Sequence, residues 1–157
     1  MILYHGSNIE IDKIDLQRSK PNKDFGRGFY LSDNYAQAMR MAQLKSEFLG
    51  GIPVVTSFEF NEQVLSNNTL DVLKFDSYSE EWANFVFKNR NTRGGYKHSY
   101  DIVYGPIAND KIGLQIQKLN DGSIDLKEFL NRLKYMKGIT FQYFFGSDKA
   151  VEQLKMI

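Results

Sequence analysis

The 157 residues carry a net charge of +1, with 42% hydrophobic, 25% charged and 14% aromatic side chains. This balance excludes a disordered chain and predicts one domain over residues 1–157, large enough to bury a hydrophobic core. There is no cysteine, which rules out a disulfide framework, a thiolate metal site and a cysteine nucleophile. No apolar run is long enough to cross a bilayer, and "MILYHGS" at 1–7 has neither the basic start nor the sustained apolar middle of a signal peptide. The sequence therefore predicts a cytoplasmic protein without a membrane partner.

"MILYHGS" begins apolar and β-compatible and then breaks at Gly6, which predicts a strand ending in a turn with His5 at its last position. A polar connection through Pro21 leads to "DFGRGFYLS" at 24–32, where two glycines and two aromatics precede Ser32, a candidate helix N-cap. In the helix after it, Ala38, Met41, Ala42 and Leu49 recur at helical spacing until Gly50 and Gly51. "VVTSFEF" at 54–60 alternates as a half-buried strand, and "TLDVLKF" at 69–75 suggests a shorter one. "SYSEEWANFVFKNR" at 77–90 offers a capping box at Ser77 and Glu80, with Trp82, Phe85 and Val86 on one helical face. "YDIVYGP" at 100–106 is β-rich, and "SIDLKEFLNRLKYMKG" at 123–138 predicts a helix capped by Ser123 and ended by Gly138. In "ITFQYFF" at 139–145, Ile139, Phe141, Tyr143 and Phe145 share one face of a strand, and Gln142 points the other way. "GSDKAVEQLKMI" at 146–157 predicts a closing helix capped by Ser147. The irregular mixture of strands and helices predicts an α+β fold rather than a doubly wound parallel sheet.

Several chemistries are excluded. Only two histidines are present, neither in a spaced ligand motif, so no metal site is expected. The phosphate-binding loop ending in Gly-Lys-Ser/Thr is absent, "FGRGF" lacks the third glycine of a dinucleotide fingerprint, and there is no Gly-x-Ser-x-Gly elbow. What remains is a set of polar residues near strand ends: His5 with Ser7, Tyr30 with Ser32, and Gln142. Singly, each is as well explained as a hydrogen-bonded structural histidine, a packed aromatic or a surface strand residue. The locally basic "KNRNTRGGYKH" at 88–98 fits either a solvated loop or a phosphate contact.

Taken together, "YHGS" at the end of a first strand, "GRGFYLS" before a helix and a late strand bearing Gln142 resemble the ADP-ribosyltransferase superfamily. The branch is the one that uses His, Tyr and a third polar residue, shared by poly(ADP-ribose) polymerases and diphtheria toxin. "EEWANFVFKNR", "YDIVYGPIANDK" and "QYFFGSDKAVEQL" extend the resemblance to a family of small uncharacterised bacterial proteins within that superfamily, over most of the chain.

The resemblance implies split, mainly antiparallel β-sheets around a central NAD cleft, with flanking helices. It implies that His5 hydrogen-bonds a ribose hydroxyl, that the Gly6 backbone meets the nicotinamide carboxamide with Ser32 close by, that Tyr30 stacks on the nicotinamide ring, and that Ser7 is among the residues that bind NAD. Residues 24–28, with Arg27 and Gly28, would form a mobile flap over the donor. Arg27 and the "KNR" ending in Arg90 are candidates for the pyrophosphate, since guanidinium forks fit phosphate oxygens.

The implied reaction uses NAD as donor, releases nicotinamide and passes ADP-ribose to a macromolecular acceptor, protein or nucleic acid. The third catalytic position, usually Glu, is Gln142 here, an amide without charge, which favours mono-transfer over chain formation. A toxin or anti-phage effector, with room for an antitoxin partner, is the corresponding biological role. The alternatives are a non-catalytic NAD or ADP-ribose binding module and, less well matched, an RNA 2'-phosphotransferase.

Overall fold

A computed structural model describes residues 1–134, 136 and 138–157. The first strand, β1 (Ile2–Ser7), runs through Gly6 rather than turning there. Gly6 is required by packing: a side chain at this position would overlap the Ala38 carbonyl oxygen and the Ala42 nitrogen of the helix lying across the strand. His5 therefore sits inside β1, not at its last position.

The stretch expected to lead straight into a helix first forms a short strand, β2 (Phe29–Leu31). Helix α1 (Tyr35–Leu49) follows, and its N-cap is Asn34, whose side chain accepts from Gln37 N. Ser32 is not the cap: its backbone pairs with Tyr4, N to O at 2.9 Å and O to N at 2.7 Å, and its Oγ accepts from Asn34 N.

Strands β3 (Val54–Phe60) and β4 (Val72–Lys74) match expectation. Helix α2 (Glu80–Asn91) is capped by Ser79, which accepts from Trp82 N, instead of Ser77. After β5 (Ile102–Pro106) comes a helix that the sequence did not suggest, α3 (Asp110–Asn120), capped by Asn109. Helix α4 (Leu126–Lys134) begins beyond Ser123, and Asp125 Oδ1 takes the amide of Glu128. Tyr135 and Lys137 of the predicted 123–138 helix lie outside the described residues. Strand β6 (Phe141–Phe145) is followed by α5 (Asp148–Val151), capped by Ser147 as expected, and the chain then forms a last strand, β7 (Leu154–Met156), where a helix was predicted. Among the described residues no helix is long and apolar enough to cross a membrane.

The strands form two sheets, a three-stranded antiparallel one ordered β1-β3-β7 and a four-stranded one ordered β2-β6-β5-β4. All neighbours in the second are antiparallel except β4 and β5, which are parallel. The Tyr4–Ser32 bridge links the two sheets. The second sheet is buried on both faces, as an alternating strand between two apolar layers must be. Phe29, Leu31, Tyr143 and Phe145 face Leu3, Phe58 and Phe60 of the first sheet's layer. Phe144 and Val103 face Trp82, Val86, Ile112, Ile116 and Phe129 of α2, α3 and α4. This explains the apolar character of both faces of β6, where only one apolar row was expected. It also sets the site, because Tyr30 pairs with Phe144 and Gln142 lies two residues before it, so both project toward the helical side.

Candidate active site

A cleft of about 760 Å³ opens where β1 and β2 diverge beyond their bridge, a volume typical of small-molecule sites. His5, Tyr30 and Gln142, from β1, β2 and β6, all line it, as do Gly6, Ser7, Gly28 and Ser32. Arg27 does not. It is exposed and its Nη1 donates to Gln17 Oε1 at 3.4 Å.

His5 stacks on Phe29, with ring centroids 4.2 Å apart and 19° between planes, and its Nδ1 lies 2.7 Å from Tyr30 O. A carbonyl oxygen only accepts, so Nδ1 carries the proton and Nε2 is left with a free lone pair in the neutral ring. Burial, reinforced by the nearby Lys45 ammonium, holds the imidazole neutral by lowering its pKa from 6.5 to about 3. The site thus contains a neutral histidine whose remaining nitrogen is a hydrogen-bond acceptor.

The Tyr30 hydroxyl turns back into the preceding loop. It donates to Gly26 O at 2.6 Å and accepts from Phe25 N at 3.0 Å. Burial pushes this phenol well above its usual range, so it remains protonated and able to donate. The ring packs edge-on against Phe144, and the Lys23 ammonium sits 5.1 Å from its centroid.

The loop at 24–28 is fastened rather than free in this conformation. Phe25 is fully buried, His98 Nε2 bonds Phe25 O at 2.7 Å, and Ser19 Oγ accepts from Gly28 N. Gly26 adopts φ +98°, a conformation other residues resist. Gly28 has a different reason to be glycine, since a side chain there would overlap the Phe144 ring.

The residue that ties this loop to the site is Asp24. Its Oδ1 accepts from Arg90 Nε and lies 2.7 Å from Arg90 Nη2, and its Oδ2 accepts from Ala108 N and from Gln142 Nε2, each at 3.2 Å. Arg90 also donates from Nη2 to Ala108 O at 2.7 Å, and it presses against Gly113 of α3, which leaves room for the guanidinium. The arginine expected as a pyrophosphate contact lines the cleft but is committed to joining the 24–28 loop to α2 and to Ala108, beyond the end of β5. Lys88, its neighbour in the basic stretch, lies over Tyr96 instead of in the cleft.

Three lining groups were not singled out from the sequence: Asp24 as a carboxylate in contact with Gln142, Lys23 and Lys45. Lys45 Nζ donates to Gly6 O at 2.7 Å. Burial and the Lys23 charge lower its pKa from 10.5 to about 8, and burial with Lys20 nearby lowers that of Lys23. The "i, i+3, i+4" signal of α1 marked its core face through Ala38 and Ala42, and Lys45, three residues beyond Ala42 on that face, was the available clue.

Fold and cleft together define an α+β protein with two linked sheets, whose junction holds a neutral histidine, the Tyr30 ring of β2 and, among four lining lysines, the two half-buried ones, Lys23 and Lys45. The chain belongs to the family described as "Protein of unknown function (DUF3990)", whose model matches residues 1–156. No curated protein matches it.

Proposed function

We propose that the protein is an NAD-dependent mono-ADP-ribosyltransferase. The observation that carries this reading is the convergence of His5, Tyr30 and Gln142, from three strands and two sheets, on one cleft. In it, His5 Nε2 accepts a hydrogen bond from a ribose hydroxyl of the donor, a role for which a neutral imidazole is needed. The Tyr30 ring offers a flat face for the nicotinamide. Gln142 donates its amide nitrogen to Asp24 and so keeps its carbonyl oxygen available to a second ribose hydroxyl.

The bond between the nicotinamide nitrogen and the ribose carbon breaks, and its electron pair leaves with nicotinamide. An oxygen or nitrogen of the acceptor bonds to that carbon and gives up its proton to solvent. Positive charge grows on the ribose as the bond lengthens, and the Asp24 carboxylate, one hydrogen bond behind Gln142, is the nearest anion of this network. Arg90 offsets part of that field, which suits a modest rate better than chain synthesis.

The test is nicotinamide release from NAD, together with transfer of labelled ADP-ribose to macromolecules of a cell lysate. Wild type is expected to do both and His5→Ala neither. Absence of both in folded wild type, with His5→Ala indistinguishable from it, defeats the proposal. A second reading, binding of NAD or ADP-ribose without turnover, is favoured by the neutral amide at 142. It predicts calorimetric binding of NAD that is recovered intact after long incubation.

A further inference from the structure

Lys45 on α1 and Lys23 in the segment before β2 are the two half-buried lysines that line the cleft, where Lys13, Lys20 and Arg18 are exposed and Arg90 is held by Asp24. Among the described residues neither ammonium has a carboxylate within 4.0 Å, whereas Arg18, Arg90, Arg132 and Lys155 do. Lys45 spends one N–H on Gly6 O, beside His5. Among the described residues the Lys23 ammonium makes no hydrogen bond and rests over the Tyr30 ring, while its backbone carbonyl accepts from Gly26 N. The pKa values of both half-buried ammonium groups are held below their ordinary range by burial and by a neighbouring lysine charge, Lys23 for Lys45 and Lys20 for Lys23, the latter offset only in part by Asp24. An anion in the cleft would therefore favour their charged forms. A single carboxylate would neutralise only one. Two ammonium groups on separate supports match a ligand with two linked anionic centres.

We propose that Lys23 and Lys45 are the two arms of a diphosphate site, so that the cleft takes nucleoside diphosphates as a ligand class. Lys45 is prepositioned by its bond to Gly6 O, and Lys23 swings from the Tyr30 ring onto the second phosphoryl group. That swing uncovers the ring face, which couples arrival of the diphosphate to exposure of the stacking surface. The inference rests on the transferase reading only for the identity of the group stacked on Tyr30. Diphosphate binding itself stands without turnover.

The experiment is calorimetric titration with ADP, adenosine and inorganic pyrophosphate of wild type, Lys23→Gln, Lys45→Gln and Lys45→Arg. Wild type is expected to bind ADP at least tenfold more tightly than adenosine and to bind pyrophosphate measurably. Each Gln variant is expected to lose about tenfold in ADP affinity, and Lys45→Arg to keep most of it, since one charge-assisted hydrogen bond is worth about that factor. Adenosine binding should be unchanged in Lys45→Gln and not weakened in Lys23→Gln, where the Tyr30 ring is uncovered.

Should Lys45→Gln fail to fold, Lys23→Gln decides, because among the described residues that ammonium makes no hydrogen bond or ion pair and rests on the Tyr30 ring. Equal affinity for ADP and adenosine in wild type, or unchanged ADP affinity in folded Lys23→Gln, overturns the proposal. Nicotinamide release measured on the same proteins separates the two claims. ADP selectivity without release keeps the diphosphate site and defeats the transferase reading. Release with ADP affinity indifferent to both lysines does the reverse.

Discussion

Gln142 Nε2 donates to Asp24 Oδ2 at 3.2 Å, joining β6 to the loop that precedes β2 across 118 residues of sequence. The bond fixes which end of the amide faces the cleft, and it explains why an amide is compatible with this position. A glutamate at 142 would set a second carboxylate against the first, and one of the two would have to bind a proton at neutral pH.

Gln142→Glu is accordingly expected to lower stability at pH 7 by about 1–3 kcal/mol. The loss should shrink on acidification, as a proton shared by the raised pair restores the hydrogen bond. Adding Asp24→Asn to Gln142→Glu should recover part of the stability at pH 7, a coupling that a double-mutant cycle of chemical denaturation measures. An equal loss at pH 7 and pH 5 would refute the charge explanation.

Tyr30→Phe keeps the ring and removes the hydroxyl that serves Phe25 N and Gly26 O. Two backbone groups lose their partner, at a cost of about 1–3 kcal/mol. Amide exchange at Phe25 should accelerate more than that of the β6 amides. Nicotinamide release should suffer less in Tyr30→Phe than in Tyr30→Ala, because only the latter also removes the stacking face.

Gly6→Ala tests the approach of α1 to β1. The added carbon overlaps the Ala38 carbonyl oxygen and the Ala42 nitrogen, both backbone, so the helix itself must move. The expected cost is about 3 kcal/mol or more, at the upper end for an overpacked site. Ala38→Gly should not rescue it, since it removes no atom of the clash. Thermal denaturation of the single and double variants checks both statements.

His5 makes stability depend on pH in a defined direction. Its folded pKa of about 3 lies below the reference 6.5, so between these values the unfolded chain binds a proton that the native ring refuses. The contribution is complete above pH 6.5 and is lost as pH falls toward 3, at no more than about 1.4 kcal/mol per pH unit. His5→Asn, whose amide can still donate to Tyr30 O, should flatten the denaturation profile over that window. Titration near 6.5 of the imidazole assigned to His5 in the native protein by NMR would contradict the buried, neutral ring.

Much of the element pattern was legible in the chain because it is local. The alternation of "VVTSFEF", the apolar spacing of "EEWANFVF" and the cap at Ser147 specify β3, α2 and α5 through neighbours two to four residues away. The caps at Ser32, Ser77 and Ser123 were misplaced by two residues for a related reason. Asn34, Ser79 and Asp125 can serve equally, and the entry angle set by packing selects among them. Helix α3 was missed because its buried Ile112, Gly113 and Ile116 include a glycine, which weakens the periodic signal while making room for Arg90. Strand β7 was missed because three residues carry no period of their own and exist as a strand by pairing with β3.

The sequence alone determined the α+β character, since hydrophobic period is a property of short segments, and its motif order singled out His5, Tyr30 and Gln142 as candidates through a family resemblance. Tertiary structure decided the rest of the site. That His5 is neutral with its lone pair free, that Arg90 is engaged by Asp24 while Arg27 is outside the cleft, and that Lys23 and Lys45 line it with no carboxylate within 4.0 Å among the described residues all depend on burial and on groups distant in sequence. Charge, protonation state and hydrogen-bond direction are set by the low-dielectric surroundings that folding creates.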